Sequence, residues 1–393
     1  MANHSAGGTR LVPRFEQGRD LHGELRVEVR SFLRDQLDSG AFTPGVDTWL
    51  TGWDPEFSRL LAEKGWVGMT IPTEFGGGGR THVERFVVTE ELLAAGAPVA
   101  AHWIADRQIA PSLLKFGTEP QKKRFLPAIS RAECFFGIGM SEPDSGSDLA
   151  SVRTKAVEAE GGWLVTGTKL WTSGAHRADF FFALARTSQR DPERRHDGLS
   201  QFIVDLRADG VEIRPIISTT GQHHFNEVQM DEVFVPSDMV LGEIGDGWKQ
   251  VTSELGYERS GPERFLSTFP LLAATAEEMG RGELPTESEI GRLFARTTGL
   301  HHMSSAVANA LQRGEDANTA AAVVKTLGTV LEGDIADFAD TLGDALGAPL
   351  SQEHIGSFPD LLRTAVLQRP GFTLRGGTTE VLRGVIAREL GLR

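Results

Sequence analysis

Apolar residues recur at intervals of three and four along the first third of the chain, a spacing that is typical of amphipathic helices. The stretch from Glu24 to Leu33 shows it most clearly. The same spacing predicts three further helices, at Pro55–Lys64, His82–Ala95 and Glu119–Ala128. The sequence therefore predicts an N-terminal helical domain over residues 1–132.

Between Glu133 and about Gly245 the apolar residues instead alternate with polar ones, which is the period of a β-strand. Short alternating segments separated by Gly, Asp and Pro are typical of a compact antiparallel barrel or sandwich. The predicted strands cover residues 162–171, 179–186, 200–205, 211–214 and 226–236. We therefore expect a small antiparallel β-barrel domain over residues 133–245.

The helical spacing returns after Gly245 and continues to the end of the chain. Long runs at 320–346, 358–368 and 381–390 predict helices with short connections, as in an antiparallel bundle. A four-helix bundle is expected over residues 246–393. The predicted fold class is α+β multidomain, with a β domain between two helical domains.

The composition of the 393 residues excludes several classes of protein. Against 40 Lys and Arg there are 54 Asp and Glu, and the formal net charge of −14 argues against a nucleic-acid-binding protein. A single cysteine, Cys134, excludes a disulfide framework, and the adjacent histidines at 223–224 and 301–302 are poorly placed to share a metal ion. No apolar run approaches the roughly 20 residues of a membrane-spanning helix, and the first 25 residues lack the apolar stretch of a secretory signal. We expect a cytoplasmic protein with no metal site and no membrane span.

Two segments combine residue types that suit a ligand site. In Phe136–Asp148, glycine allows backbone amides to approach an anion, and serine hydroxyls can hydrogen-bond it. In Lys169–Ala175, Trp171 offers a flat apolar face and Ser173 a hydroxyl. Spacing alone favours plainer interpretations, a Ser/Gly turn for the first segment and a core position for Trp171. Taken one at a time, the segments leave both alternatives open.

Together, the two segments resemble the acyl-CoA dehydrogenase family. That family carries a Thr/Ser-Glu-Pro-x-x-Gly-Ser-Asp stretch followed by a Lys-x-Trp-x-Thr/Ser-x-Gly/Ala stretch, and Ser141–Asp148 and Lys169–Ala175 match them in order and spacing. Gly376–Arg383 resembles the family's C-terminal signature. His224–Val228 and Asp231–Pro236 resemble the end of its β domain. The resemblance extends from about residue 25 to the end and implies the acyl-CoA dehydrogenase fold.

This resemblance implies FAD as the cofactor and α,β-dehydrogenation of an acyl-CoA thioester to the trans-2-enoyl-CoA. It places Ser141 and Ser173 near flavin N5, Trp171 against the flavin ring, and Ser147 at the pyrophosphate or the acyl-CoA. The implied cofactor-binding residues are Met140, Ser141, Gly146, Ser147, Trp171, Ser173, Thr378 and Glu380. The implied substrate-binding residues are Ser147, Arg259, Gly376 and Gly377.

The catalytic base departs from the pattern of many family members, which place it as the Glu of a Glu-Gly-Thr stretch. This chain has Gly376 there, which cannot remove a proton. Some relatives carry the base in a Glu-Arg pair on a helix of the C-terminal domain, and Glu258 followed by Arg259 stands at the matching place. Glu258 is therefore the expected base, and its alternative role is a solvated carboxylate paired with Arg259 or Arg264. A helix continuing through Pro262 would be kinked, with the Glu258 carbonyl left without a donor.

A second departure concerns the assembly. Relatives usually carry an Arg-x-Gln-Phe-Gly stretch that binds the partner subunit's FAD, and the sequence contains none. The resemblance implies a role in fatty acid or lipid metabolism, electron-transfer flavoprotein as electron acceptor, and a dimer of dimers, either a homotetramer or a heteromer. Three alternatives stay open: an acyl-thioester oxidase or monooxygenase, a dehydrogenase of an acyl carrier protein thioester, and a non-catalytic subunit of a heteromeric dehydrogenase.

Overall fold

The structure is a computed structural model, and it describes residues 22–259, 261–281, 287–346 and 355–392. Its helices are α1 (Gly23–Asp38), α2 (Thr48–Thr51), α3 (Pro55–Glu63), α4 (His82–Ala94), α5 (Ala100–Ile104), α6 (Ala110–Phe116), α7 (Glu119–Ser130), α8 (Gly247–Glu258), α9 (Phe269–Arg281), α10 (Glu287–Gln312), α11 (Asn318–Leu346), α12 (Phe358–Phe372) and α13 (Thr379–Glu389). Its strands are β1 (Phe136–Gly139), β2 (Lys155–Ala159), β3 (Gly162–Lys169), β4 (Phe180–Arg186), β5 (Leu199–Asp205), β6 (Val211–Ile217), β7 (His223–Pro236) and β8 (Val240–Leu241). Among these described helices, none combines the length and the apolar character needed to cross a membrane.

The chain divides into two compact units. The β unit comprises residues 30–81 and 95–258, and it holds the sheet together with most of the N-terminal helices and α8. The helical unit comprises residues 82–94 and the described parts of 22–29 and 259–392. The order of helices, strands and helices along the chain confirms the predicted fold class.

The sheet of the β unit has the strand order β6-β7-β3-β2-β4-β5-β8, with β1 paired to β4. Most neighbours are antiparallel, as predicted, whereas β1–β4 and β2–β4 are parallel. β4 is buried along nearly its whole length, because β1, β2 and β5 flank it and helices cover it. Phenylalanine rings fill this core, and Phe125 of α7 packs edge-on against Phe136 of β1, with ring centroids 5.5 Å apart.

Local side-chain chemistry fixes where the helices of the β unit begin. The Asp54 carboxylate accepts a hydrogen bond from the backbone N–H of Phe57 at 2.9 Å, and Pro55 occupies the first turn of α3. At α7, Thr118 and Gln121 form a reciprocal capping box. The Gln121 amide also donates to the carbonyls of Asp238 and Val240, both at 2.7 Å. This one side chain therefore starts α7 and fixes it to the end of the sheet.

The helical unit is built around α11, which packs against α9, α10, α12 and α13. Two buried charged side chains of α11 bond to backbone. The Glu332 carboxylate accepts from the backbone N–H of Ser267 at 2.9 Å, and the Lys325 ammonium donates to the carbonyl of Thr373 at 3.2 Å. A C-terminal helical domain is confirmed, and its bundle is larger than the four helices that the sequence pattern predicted.

The predicted kink at Pro262 is wrong. Helix α8 ends at Glu258, and Pro262 opens a separate short 3-10 turn, Pro262–Arg264, which follows Gly261. A proline at the first position of a helical turn gives up an N–H that would have no partner there, so it starts this turn without bending α8. The helical spacing that the sequence shows after Gly245 is therefore interrupted directly after Glu258, the expected base.

Candidate functional site

The two candidate segments of the β unit lie side by side. The backbone N–H of Leu170 donates to the carbonyl of Ser141 at 2.8 Å, so the chain leaving β3 runs next to the chain leaving β1. The Glu142 side chain fixes the same junction, because its carboxylate accepts from the backbone N–H groups of Arg153 at 2.6 Å and Thr154 at 3.0 Å. A third bond, from the Lys169 ammonium at 2.8 Å, joins the two segments through their side chains.

Burial makes Glu142 and Lys169 a coupled pair. The Lys169 side chain is 0% exposed, and burial lowers its pKa to about 8 although the Glu142 charge opposes that shift. Burial by itself would raise the pKa of the Glu142 carboxyl, but the Lys169 charge and the hydrogen bonds it accepts hold it below its usual range. Sequence analysis missed this role, although both residues belong to the motifs that carried the resemblance.

The turn after Ser141 is closed by its own backbone. Glu142 and Ser145 exchange two backbone hydrogen bonds, of 2.8 and 3.1 Å, and the buried Ser145 hydroxyl donates to the carbonyl of Asp148 at 2.7 Å. Ser145 is therefore the structural serine of the segment. At the tip, Gly146 and Ser147 are exposed, and a Cβ on Gly146 would meet nothing within 4 Å. Met140 and Ser141 are half-buried at the base of the turn.

Trp171 is not a core residue. Its side chain is 54% exposed, and its backbone has a φ of +61°, in the left-handed region that bulky residues rarely adopt. The indole packs edge-on against Phe225, with ring centroids 5.6 Å apart. A strained backbone that leaves a large apolar ring exposed is typical of a ligand contact.

The residues after Trp171 are fixed by β7. Thr172 exchanges two backbone hydrogen bonds with Asn226, of 3.0 and 3.1 Å, and the backbone N–H of Gly174 donates to the carbonyl of His224 at 2.8 Å. Gly174 has a φ of +66°, and a Cβ there would lie 2.5 Å from the Trp53 ring, so only glycine fits. Ser173, between these anchors, is half-buried.

The C-terminal signature lies in the helical unit. Gly376 and Gly377 have φ values of +69° and +88°, and the Arg259 guanidinium donates to the carbonyl of Gly376 at 3.2 Å. The Thr378 hydroxyl caps α13 by accepting from the backbone N–H of Val381 at 3.3 Å, and Glu380 is exposed in the first turn of that helix. The structure thus brings Arg259 together with the two glycines, two predicted parts of the site that are over a hundred positions apart.

The expected base is the last residue of α8, and its side chain lies outside the described residues. Of its two alternative partners, Arg264 is buried, and its guanidinium lies 3.8 Å from the Glu263 carboxylate. Other candidate groups have structural surroundings. Cys134 is buried, and burial raises the pKa of its thiol to about 12, so it packs as a small apolar side chain. The described residues contain no group of three His, Cys, Asp or Glu side chains placed to hold a metal ion.

Comparison with known proteins gives two family matches. Residues 19–133 match the model of the acyl-CoA dehydrogenase N-terminal domain, and residues 137–233 match that of the acyl-CoA dehydrogenase middle domain. Together the two matches cover more than half of the chain.

Individual relatives extend the match to the C-terminal domain. The acyl-CoA dehydrogenase IpdE1 of Mycolicibacterium smegmatis is 34% identical over 94% of this chain and 97% of its own length. The acyl-CoA dehydrogenase FadE34 of Mycobacterium tuberculosis is 35% identical over 86% of this chain, which spans only 46% of that longer protein. Among solved structures, the Tcur3481-Tcur3483 steroid ACAD superposes with a TM-score of 0.86 at 30% identity, covering 98% of this chain and 99% of that one.

Proposed function

Because the chain belongs to the acyl-CoA dehydrogenase family of oxidoreductases, we propose that it binds FAD and catalyses α,β-dehydrogenation of a bulky acyl-CoA thioester. The observation that carries this proposal is the exposed Trp171 ring, presented by a strained backbone within the motif that suits flavin binding. When bound, FAD supplies the hydride acceptor of the reaction. Our proposed domains are 1–132, 133–245 and 246–393, and the two matched family models, which meet between residues 133 and 137, support the first of the two boundaries.

The residues of the β unit fit a flavin. Trp171 offers a flat apolar face of ring size. Two half-buried serines offer hydroxyls, Ser173 in the same segment and Ser141 in the segment beside it. Gly146 and Ser147 form an open turn tip, where backbone amides and a hydroxyl can approach a phosphate. Met140 lies at the base of the same turn. We assign these residues to the cofactor, and we assign Ser147 to the CoA moiety of the substrate as well.

The residues of the helical unit take the remaining roles. The Thr378 hydroxyl already accepts a bond from the Val381 N–H, so its own proton is left to donate to a phosphate or ribose oxygen of the cofactor, and the exposed Glu380 is assigned beside it. Arg259, Gly376 and Gly377 are assigned to the substrate. The positive φ at Gly376 supports glycine there, since a carboxylate-bearing residue at this position would be strained.

Glu258 is the proposed catalytic base, which removes the α-proton of the thioester. Two observations support this assignment. Glu258 ends α8 directly before Arg259, and Arg259 donates to the carbonyl of Gly376, the residue that stands where many relatives carry the base.

The substrate class and the assembly follow from the relatives. A steroid acyl-CoA dehydrogenase is 30% identical over nearly the whole chain, which supports a polycyclic acyl-CoA as the substrate here. The Tcur3481-Tcur3483 protein combines two named components, which supports a heteromeric assembly for this chain, and the dimer of dimers is carried over from the family resemblance. Electron-transfer flavoprotein as acceptor is carried over from the family resemblance, and the cytoplasmic location stays a sequence-based expectation.

An anaerobic titration tests this function. The purified protein should be yellow, and a steroid side-chain CoA thioester should bleach its flavin absorbance whereas a short-chain acyl-CoA should not. Glu258→Gln should retain FAD but reduce the flavin about 10²-fold more slowly, the scale of a general-base contribution. The matched control is Glu254→Gln, one turn earlier on α8, where the Gln201 amide already bonds the carboxylate at 2.9 Å. Normal reduction in Glu258→Gln would place the base elsewhere, and a colourless protein would refute the FAD assignment.

A further inference from the structure

Trp171 needs an anchor that outweighs its backbone strain. A non-glycine residue at positive φ is disfavoured, so the chain on either side must be held firmly to keep the indole exposed. On the N-terminal side, the Leu170 N–H bonds to the Ser141 carbonyl at 2.8 Å. On the C-terminal side, the anchor is Asn226 of β7, whose side chain is fully buried.

Three hydrogen bonds connect Asn226 to Thr172. Two are the backbone bonds already described, and the third runs from the Asn226 side-chain amide Nδ2 to the Thr172 carbonyl at 3.0 Å. The other end of the same amide, Oδ1, lies 2.7 Å from Nε2 of His223. Because Oδ1 can only accept, His223 donates from Nε2 and fixes which way the amide points. The amide nitrogen must then face the Thr172 carbonyl.

His223 is itself held in place by His176. The two imidazoles stack with ring centroids 3.9 Å apart and an interplanar angle of 18°. Burial, followed by the neighbouring charges of His223 and Arg177, lowers the pKa of His176 to about 4, so this ring is neutral near pH 7. The stack links the strand β7 to the segment that follows Ser173.

We propose that Asn226 is a positioning residue: oriented by His223, its buried amide holds the Thr172 carbonyl and thereby keeps Trp171 in the left-handed conformation that presents the indole to the flavin. The link to the flavin rests on the proposed function. The positioning of the indole does not rest on the proposed function, because the series of contacts that links His176, His223, Asn226 and Thr172 lies within the β unit.

The first test reads the indole directly. Protein labelled with 5-fluorotryptophan gives a fluorine NMR resonance for Trp171, assigned by its loss in Trp171→Phe. In Asn226→Leu, which keeps the branching of the side chain at Cγ and removes the amide, this resonance should shift or split while those of the buried Trp49 and Trp103 stay in place. The matched control is Asn309→Leu, since the half-buried Asn309 amide also donates to a carbonyl, that of Ser305 at 3.0 Å, in the helical unit.

The second test measures the dissociation constant of FAD. Asn226→Leu should raise it by roughly tenfold, and this effect should disappear in a Trp171→Gly background, where no strain needs to be held. His223→Phe keeps a ring on His176 and removes the Nε2 donor that bonds Asn226 Oδ1, so it should shift the Trp171 resonance in the same direction. It replaces Asn226→Leu if that variant does not fold.

The outcomes separate this inference from the proposed function. An unchanged Trp171 resonance in folded Asn226→Leu, or in folded His223→Phe if Asn226→Leu does not fold, would overturn the positioning role whatever the protein binds. If Asn226→Leu shifts the Trp171 resonance but the wild-type protein binds no FAD, the positioning role stands and the proposal of FAD as the cofactor is refuted. Equal effects of Asn226→Leu on FAD binding in the wild-type and Trp171→Gly backgrounds would overturn the link from the amide through the indole to the flavin.

Discussion

Replacing Glu142 by glutamine removes the negative partner of a fully buried ammonium while keeping the size of the side chain. In the wild-type protein the Glu142 carboxylate lies 2.8 Å from Lys169 Nζ, and the next acceptor, the Met140 carbonyl, is 3.4 Å away. The Glu142→Gln variant therefore leaves the Lys169 charge buried with neutral acceptors alone, the introduced amide oxygen and the Met140 carbonyl. Breaking a buried pair by removing one partner costs about 3 kcal/mol or more of the free energy of unfolding.

The cost should depend on pH. Burial lowers the pKa of Lys169 from 10.5 to about 8 in the folded chain, so between these values the unfolded chain binds more protons and stability rises with pH. The Glu142 charge raises the pKa of Lys169, so without that charge the pKa of Lys169 in the folded chain falls further. The free energy of unfolding then begins to rise at a lower pH. The loss of unfolding free energy in Glu142→Gln should therefore be largest near pH 6. Near pH 8.5 it should be smaller by about 1 kcal/mol for each unit by which the pKa of Lys169 falls.

Urea denaturation at pH 6 and pH 8.5, at one fixed FAD concentration, measures both quantities. The matched control is Asp144→Asn in the same turn, whose ion pair with Arg153 at 3.1 Å is exposed, with 79% and 71% of the two side chains accessible. That variant should change the free energy of unfolding by less than about 0.5 kcal/mol at both pH values. A Glu142→Gln deficit as small as that of the control, or one that is the same at both pH values, would refute the reasoning.

The fold was predictable where burial of one face of a helix or strand makes the apolar residues periodic in the sequence. Alternating burial along β7 confirms the two-residue period there, and β4 was predictable as a short apolar run because it is buried nearly throughout. The parallel pairing of β1 to β4 was not predictable, since it joins Phe136 to Phe180 across intervening strands and loops. Pairing partners are chosen by tertiary packing, which a local pattern does not record.

The site was predictable as motifs but not as contacts. Local spacing favoured a core position for Trp171, and the error arose because a β-like alternation predicts an inward side chain unless the backbone turns at that residue. Likewise, Glu142 and Lys169 are separated by 27 positions, and Asn226 and Thr172 by 54, so neither pair produces a periodic signal. The residues proposed to touch a ligand were visible in the motifs, whereas those that hold these residues in place depend on long-range packing.

Two further predictions concern the site itself. Trp171→Ala should raise the dissociation constant of FAD at least tenfold because a ring-sized apolar face is lost, and normal FAD retention by equilibrium dialysis would exclude that contact. Gly376→Glu in a Glu258→Gln background should fail to restore flavin reduction, even though it returns a carboxylate to the position that many relatives use. The φ of +69° at residue 376 disfavours any side chain by about 1–2 kcal/mol, and a shift that relieves this strain would also break the Arg259 bond to the residue 376 carbonyl. Stopped-flow reduction of the double variant measures this, and a rate well above that of Glu258→Gln alone would show that the turn accepts glutamate and that both positions reach the same α-carbon.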